Sequence, residues 1–304
     1  MSLAVRTNHR YVRAGQVGLG DADGEMITSG SAPPALETLS PSRAANFKQC
    51  PRLFRYRSID RIPETPSTYQ ARGTTAHLAL ERLFDLPAIE RTADRLFDLF
   101  REAWTGLRMA PEYSGLFETL DEERAWGIES LGVIANYLTL EDPVTISPLD
   151  SELEMSEEVG DITIRGILDR LDERPDGQLV ITDYKTGSAP PERYALAAFF
   201  ALKIYALLVR SRFGRTPVEL RLMYLSNSTV YSIPVNDRML DGMERQLSAL
   251  AKAIRRAIEQ DDFPPRPSFL CSWCSFQDIC PAFSDVEAGQ LPDTPRPESV
   301  AVAS

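Results

Sequence analysis

Three of the chain's four cysteines crowd into one stretch, Cys271-Ser-Trp-Cys274-Ser-Phe-Gln-Asp-Ile-Cys280, and the fourth, Cys50, lies 221 positions before Cys271. A triplet this tight implies a shared ligand rather than four isolated thiols. Disulfides are disfavoured in a reducing compartment. Zinc takes four tetrahedral ligands, but its usual ribbons carry two separated Cys-x-x-Cys knuckles, and here there is one. A [4Fe–4S] cluster also takes four thiolates, and a compact triplet with one distant cysteine suits it somewhat better, with zinc as runner-up. Either group would staple the N-terminal part of the chain to its C-terminal end. The loop closed in this way is very long, so losing the metal should loosen the whole fold.

A second constellation is acidic. Gly166-Ile-Leu-Asp169-Arg-Leu-Asp172 and Val180-Ile-Thr-Asp183-Tyr-Lys185 flank Pro175-Asp176-Gly177. Pro presets the first position of a turn and Gly supplies a left-handed one, which predicts a three-residue hairpin loop centred on Asp176. Residues whose numbers sum to 352 then face each other, and Asp169 and Asp183 satisfy that sum. Opposed Cβ atoms lie roughly 4.5–5.5 Å apart, so two carboxylates there repel. A divalent cation between them removes the penalty. Lys185 falls on the same face as Asp183 and would offset charge on a phosphate or orient water. The alternative at this level is a charged hairpin in solvent, and a one-residue slip of register would part the pair.

Of two histidines, His9 lies near the N-terminus and His77 early in an amphipathic stretch, with Glu81 four residues on and on the same face. Imidazole is a common metal ligand whose tautomer a carboxylate often fixes. A partly buried histidine satisfied by Glu81 is the competing reading. Residues 42–61 hold Arg43, Lys48, Arg52, Arg55, Arg57 and Arg61 against the single acid Asp60. That is either a solvated helix face or a local basic groove.

The elements that must position these groups follow from periodicity. Ser40-Pro41-Ser42 reads as a helix start, with Pro51 interrupting the helix after Cys50. Helices are predicted over 73–86, 91–108 and 117–139, and strands over 151–156, 161–172 and 178–184. A helix over 192–212, strands near 217–225 and 229–234, and a long helix over 236–260 complete an α/β (α+β) order. Residues 1–36 and 285–304 read as disordered tails around one domain at 37–284. Within it lie a helical part at 73–140, a core at 149–260 and the cysteine triplet at 271–280.

At 43% hydrophobic and 25% charged over 304 residues, the composition is that of a globular protein. A net charge of −11 argues against non-specific coating of nucleic acid. No run of 18 apolar residues predicts a membrane span. The first thirty residues carry Arg6, Arg10 and Arg13 but no apolar core, so no secretory signal is read and a cytoplasmic location is expected. No P-loop motif is present, so ATP use by that route is excluded.

Taken in order, Ser40-Pro-Ser42 to Cys50-Pro51, Gly73-Thr-Thr-Ala-His77, Gly166-Ile-Leu-Asp169-Arg, Val180-Ile-Thr-Asp183-Tyr-Lys185-Thr-Gly187 and the cysteine triplet resemble the PD-(D/E)xK nuclease superfamily. The resemblance covers roughly residues 38–284. It is to the RecB-type domains with a cysteine cluster, found in AddB helicase–nuclease subunits and CRISPR-associated iron–sulfur exonucleases. It implies a restriction-endonuclease-like core, a central mixed sheet flanked by helices with helical N-terminal insertions and a metal-cluster clamp. It implies Mg²⁺ or Mn²⁺ held by His77, Asp169, Asp183 and the Tyr184 carbonyl, with Lys185 as catalytic lysine. It implies a [4Fe–4S] cluster on Cys50, Cys271, Cys274 and Cys280. Asp183 stands where many relatives carry Glu. Tyr205 keeps the family's tyrosine and joins Asp169, Asp183 and Lys185 in the implied catalytic set, but Ala201 replaces the Gln usual four residues before it. The implied function is a metal-dependent DNA nuclease in repair or recombination, more in keeping with single strands cut from an end. The alternative is a catalytically impaired DNA-binding or helicase-partner protein of the same fold.

Overall fold

In a computed structural model, which describes residues 36–283, a two-residue strand β1 (Thr38–Leu39) precedes helix α1 (Pro41–Gln49). The Ser40 hydroxyl caps α1 by accepting the Arg43 N–H at 3.2 Å, with Pro41 in the first turn where its missing N–H costs nothing. Cys50 turns extended (φ −156°) and Pro51 opens α2 (Pro51–Phe54), so the break expected at that proline is present. The tails expected at either end lie outside the described residues, except that Leu36 is buried in the core and belongs to the domain.

Helix α3 (Thr68–Asp85) starts five residues earlier than the periodicity indicates. Ser67 and Gln70 form a reciprocal capping box that sets its true beginning. Helices α4 (Ala93–Leu107), α5 (Leu120–Ala135) and α6 (Tyr137–Leu140) follow. Then come β2 (Pro148–Val159), β3 (Ile162–Glu173) and β4 (Leu179–Lys185). The single helix expected over 192–212 is two, α7 (Glu192–Ala198) and α8 (Phe200–Phe213). Phe199 breaks them at ψ 0° with its ring 1% exposed, a break set by core packing rather than by a Pro or Gly. Strands β5 (Glu219–Tyr224) and β6 (Thr229–Pro234) and the long helix α9 (Asp237–Gln260) complete the order.

The sheet is mixed and six-stranded, ordered β1-β3-β4-β5-β6, with β2 also on β3. β2 pairs along the length of β3, so β1 and β4 share the other edge of β3. β1 takes Thr163–Ile164 and β4 takes Arg170–Glu173, which leaves residues 165–169 of that edge without a strand partner. One core fills the face covered by α1, α8 and α9, through Phe47, Leu207, Leu247 and Ile254. A second lies under α3, α4 and α5 and includes Leu80, Phe100, Trp126 and the Tyr184 ring. The Glu192–Phe213 stretch is long and apolar enough to cross a membrane by composition alone, yet half of its most apolar window is buried inside this fold.

Candidate active site

The hairpin between β3 and β4 has the expected register: Arg170 faces Thr182, and Leu171 faces Ile181. Gly177 holds the left-handed position (φ 80°), and Arg174 donates its N–H to the Gln178 carbonyl across the three-residue loop. The ladder stops at Arg170–Thr182, one step short of the expected Asp169–Asp183 pair. There the strands part. Asp169 turns a carboxylate oxygen to accept the Tyr184 N–H at 2.8 Å, satisfying a donor that the diverging strand would otherwise leave bare.

His77 reaches this opening from α3. Its Nε2 lies 2.9 Å from the Tyr184 carbonyl oxygen, and its Nδ1 lies 3.4 Å from Asp169 Oδ1 and 4.0 Å from Glu152 Oε1. The competing reading gave His77 to Glu81 alone; Asp169 and Glu152 stand at its Nδ1, and the charge of Glu81 acts on Glu152. His77, Glu152 and Asp169 bring ligand atoms within 4.8 Å of one another. Asp183 lies beside them with its Oδ2 2.5 Å from Lys185 Nζ, and the Lys185 side chain is half-exposed toward solvent.

Sequence reasoning missed Glu152. It sits on β2 between Ser151, which faces Arg170, and Leu153, which faces Leu168, so Glu152 falls opposite Asp169. Its backbone is left-handed (φ 49°), rare for a residue with a Cβ and worth about 1–3 kcal/mol of strain. The signal was available. Val159-Gly160-Asp161-Ile162 is a two-residue hairpin with Gly160 at φ 65°, and positions facing each other across it sum to 321. Asp169 is then matched by residue 152.

Charge in the pocket is one-sided. Burial would lower the His77 pKa, but the hydrogen bond and charge of Asp169, with Asp183 adding to them, push it up to about 9. Burial, then the Asp169 charge, raise Glu152 to about 7 and Asp183 to about 6. Asp169 is desolvated too, yet His77 and the Tyr184 N–H hold it below the ordinary carboxylate value. Burial opposes the charge on Lys185, and Asp183 outweighs it, so the ammonium is held above its usual pKa.

Protons retained on this scale mark a pocket short of positive charge. The donor set, one imidazole, carboxylates and a backbone carbonyl, suits Mg²⁺ or Mn²⁺.

Tyr205 and Gly166 explain each other. The Tyr205 ring from α8 lies against the unpartnered edge of β3 at Gly166. A Cβ on Gly166 would stand 2.8 Å from Tyr205 Cε1 and 2.9 Å from its oxygen. Ala201, one turn earlier on α8, offers no polar group. Behind the site, Arg170 is 0% exposed and ties Tyr184 in place by donating to its hydroxyl at 2.6 Å. Its other partners are Glu141, through a short contact and a second bond of 3.0 Å, Asp172 at 3.1 Å and the Thr182 hydroxyl at 3.4 Å.

The four cysteines, all free, line one pocket with Leu53, Tyr56 and Arg266. Backbone N–H groups of Arg266 and Ser268 point at Cys50 Sγ (3.4 Å) and Cys271 Sγ (3.3 Å). Burial raises the Cys274 thiol pKa, and Cys271 and Cys280 add to the rise.

Fold and site together define a mixed α/β protein whose central strands part to present an acidic, cation-seeking pocket with a lysine at its mouth. The chain belongs to the PD-(D/E)XK nuclease superfamily, whose family model matches residues 38–281. It is 24% identical over 272 residues to the Gene 69 protein of Mycobacterium phage D29, covering 80% of this chain and 96% of that one. It is 31% identical over 135 residues to a CRISPR-associated exonuclease Cas4/endonuclease Cas1 fusion of Myxococcus xanthus, a match that spans 42% of this chain and only 22% of the fusion. A crystal structure from Eubacterium rectale named "Putative exonuclease" shares the fold, with a TM-score of 0.51 at 14% identity over 84% of this chain and 91% of that one.

Proposed function

We propose that this chain is a metal-dependent DNA nuclease that hydrolyses phosphodiester bonds, acting on single strands from an end in DNA repair or recombination. The observation that carries the reading is the convergence of His77, Glu152 and Asp169 within 4.8 Å, with Asp183 and Lys185 beside them. His77, Glu152, Asp169, Asp183 and the Tyr184 carbonyl would hold Mg²⁺ or Mn²⁺. Such an ion supplies Lewis acidity toward the phosphoryl oxygen and lowers the pKa of water.

The chain's own groups do the rest. Lys185, an ammonium paired with Asp183 and half-exposed at the mouth of the pocket, would neutralise charge growing on the phosphoryl oxygens or position the attacking water. Asp183 aims that ammonium through the 2.5 Å contact. Asp169 clamps the Tyr184 N–H and thereby aims the Tyr184 carbonyl into the pocket. Tyr205 pins the edge of β3 that carries Asp169.

Cys50, Cys271, Cys274 and Cys280 would hold a [4Fe–4S] cluster. The compact triplet with one distant cysteine supports the cluster over zinc, whose usual ribbons carry two Cys-x-x-Cys knuckles. The reducing interior of a cell is where such thiolates stay available.

The test is cleavage of end-labelled single- and double-stranded DNA by anaerobically purified protein with Mg²⁺ or Mn²⁺. The expected result is shortening of single strands from one end, lost by about 100-fold or more in Lys185→Ala, the scale seen when one charge-stabilising group is removed. Full activity in Lys185→Ala overturns the role given to that lysine. Ala201 favours a second reading, an impaired nuclease that binds DNA or serves a helicase. That reading expects DNA binding without cleavage, and cleavage gained in Ala201→Gln. Brown protein that absorbs near 400 nm and contains iron is expected; colourless protein with one zinc rejects the cluster.

A further inference from the structure

The pocket proposed above would take one phosphodiester, and it leaves unexplained a group of cations and rings on α1, α7, α8 and the C-terminal segment. Lys48 closes α1 with its ammonium 4.0 Å above the Phe200 ring, and Lys203 of α8 is near enough for the two charges to repel. Arg266 donates to the Lys48 carbonyl at 2.6 Å, which ties the C-terminal segment to this corner. Three residues on, Phe269 is 57% exposed and lies 6.3 Å from Tyr194 of α7, itself 48% exposed. The guanidinium of Arg193 stacks on Tyr194 at 4.9 Å.

Two features set this surface apart. Many cations elsewhere meet acids: Arg57 pairs with Glu64, and Arg210 with Asp241 and Glu244. Among the described residues Lys48, Arg193, Lys203 and Arg266 have no carboxylate partner, in a chain of net charge −11. Two neighbouring ammonium groups, one of them over a ring, with no carboxylate partner are relieved by an anion. Large rings left half in water beside such cations offer π-faces to nucleobases, each worth several-fold in affinity whatever the base.

We infer that Lys48, Arg193, Tyr194, Lys203, Arg266 and Phe269 form a track for single-stranded nucleic acid, the cations holding phosphates and the two exposed rings stacking bases. The inference rests on the nuclease reading for its substrate class and extends it by placing the strand outside the acidic pocket. The loop 186–191 joins Lys185 directly to α7, and α8 carries both Lys203 and Tyr205. A strand on the track therefore lies on elements continuous with the site.

The test is binding of fluorescent oligo-dT by the full chain with no divalent cation added, read by anisotropy across a salt series. Tyr194→Ala is expected to weaken binding about 5-fold or more, and Tyr194→Phe to preserve it. Lys48→Gln with Lys203→Gln is expected to lower the slope of log affinity against log salt by about 1.4, two phosphate contacts at roughly 0.7 each. Hydrolysis of a small ester, thymidine 5′-monophosphate p-nitrophenyl ester, is expected to be unchanged in these variants. Unchanged affinity and slope overturn the track, as does absence of oligo-dT binding by the unmodified chain. Self-association lost in Tyr194→Ala with DNA binding intact also overturns it, in favour of a protein interface. Cleavage of DNA with variant-insensitive binding sinks the track and leaves the nuclease. Variant-sensitive binding without cleavage by Mg²⁺ or Mn²⁺ does the reverse.

Discussion

Asp169 stands between two other acids, Glu152 opposite it on β2 and Asp183 on β4 where that strand parts from β3, and the three would repel one another without a counter-charge. In metal-free protein His77 supplies part of it by keeping its proton up to about 9, against an ordinary 6.5. A group whose folded pKa is raised stabilises below its unfolded pKa and loses that contribution as pH rises through the folded value. Glu152 at about 7 and Asp183 at about 6 act with the same sign. The metal-free protein is therefore expected to melt at lower temperature at pH 9 than at pH 6.5, followed by circular dichroism. Saturating Mn²⁺ should oppose that trend, because the ion binds the deprotonated ligands; a metal-free melting temperature flat across this range counts against the charge assignment. Glu152→Gln is expected to weaken Mn²⁺ binding roughly 10-fold or more by calorimetry, while leaving the fold intact. Asp169, Asp183 and Lys185 were legible because a Pro-Asp-Gly turn fixes register by arithmetic. Glu152 escaped because its hairpin turn, Gly160-Asp161, was not used the same way. Arg170 escaped because nothing in a linear sequence marks a fully buried guanidinium.

At the level of elements, the splayed edge of β3 depends on a glycine and a tyrosine meeting. Gly166→Ala puts a methyl group into the Tyr205 ring, so a loss of about 1–3 kcal/mol by urea denaturation is expected, with cleavage falling further than stability alone explains. The Arg170 network is a second support. Arg170→Met leaves Glu141 buried without its partner and should cost about 3–5 kcal/mol. Wild-type stability in that variant would show that the network does not hold Tyr184. The long helices and the β2–β3–β4 meander follow from period and turn chemistry, and their order was readable. The two-residue strand β1 and the break at Phe199 were not, because each exists only by virtue of distant residues, Thr163–Ile164 for β1 and the core around Phe199 for the break.

For the molecule as a whole, the cysteine pocket joins the segment after α1 to the segment after α9. Cys50→Ser is expected to lower the melting temperature; a loss of about 2 kcal/mol would appear as roughly 4–8 °C in a domain of this size. An unchanged melting temperature in protein that contains iron would mean the cluster does not brace the fold. The same feature has a consequence for biosynthesis. With Cys271 221 positions after Cys50, translation at about 5–20 residues per second separates the two thiols by roughly 10–45 s. The first half of the pocket leaves the ribosome long before its complement exists. For the proposed cluster, assembly would be a finishing step, and an early thiol lost to oxidants would leave it one ligand short.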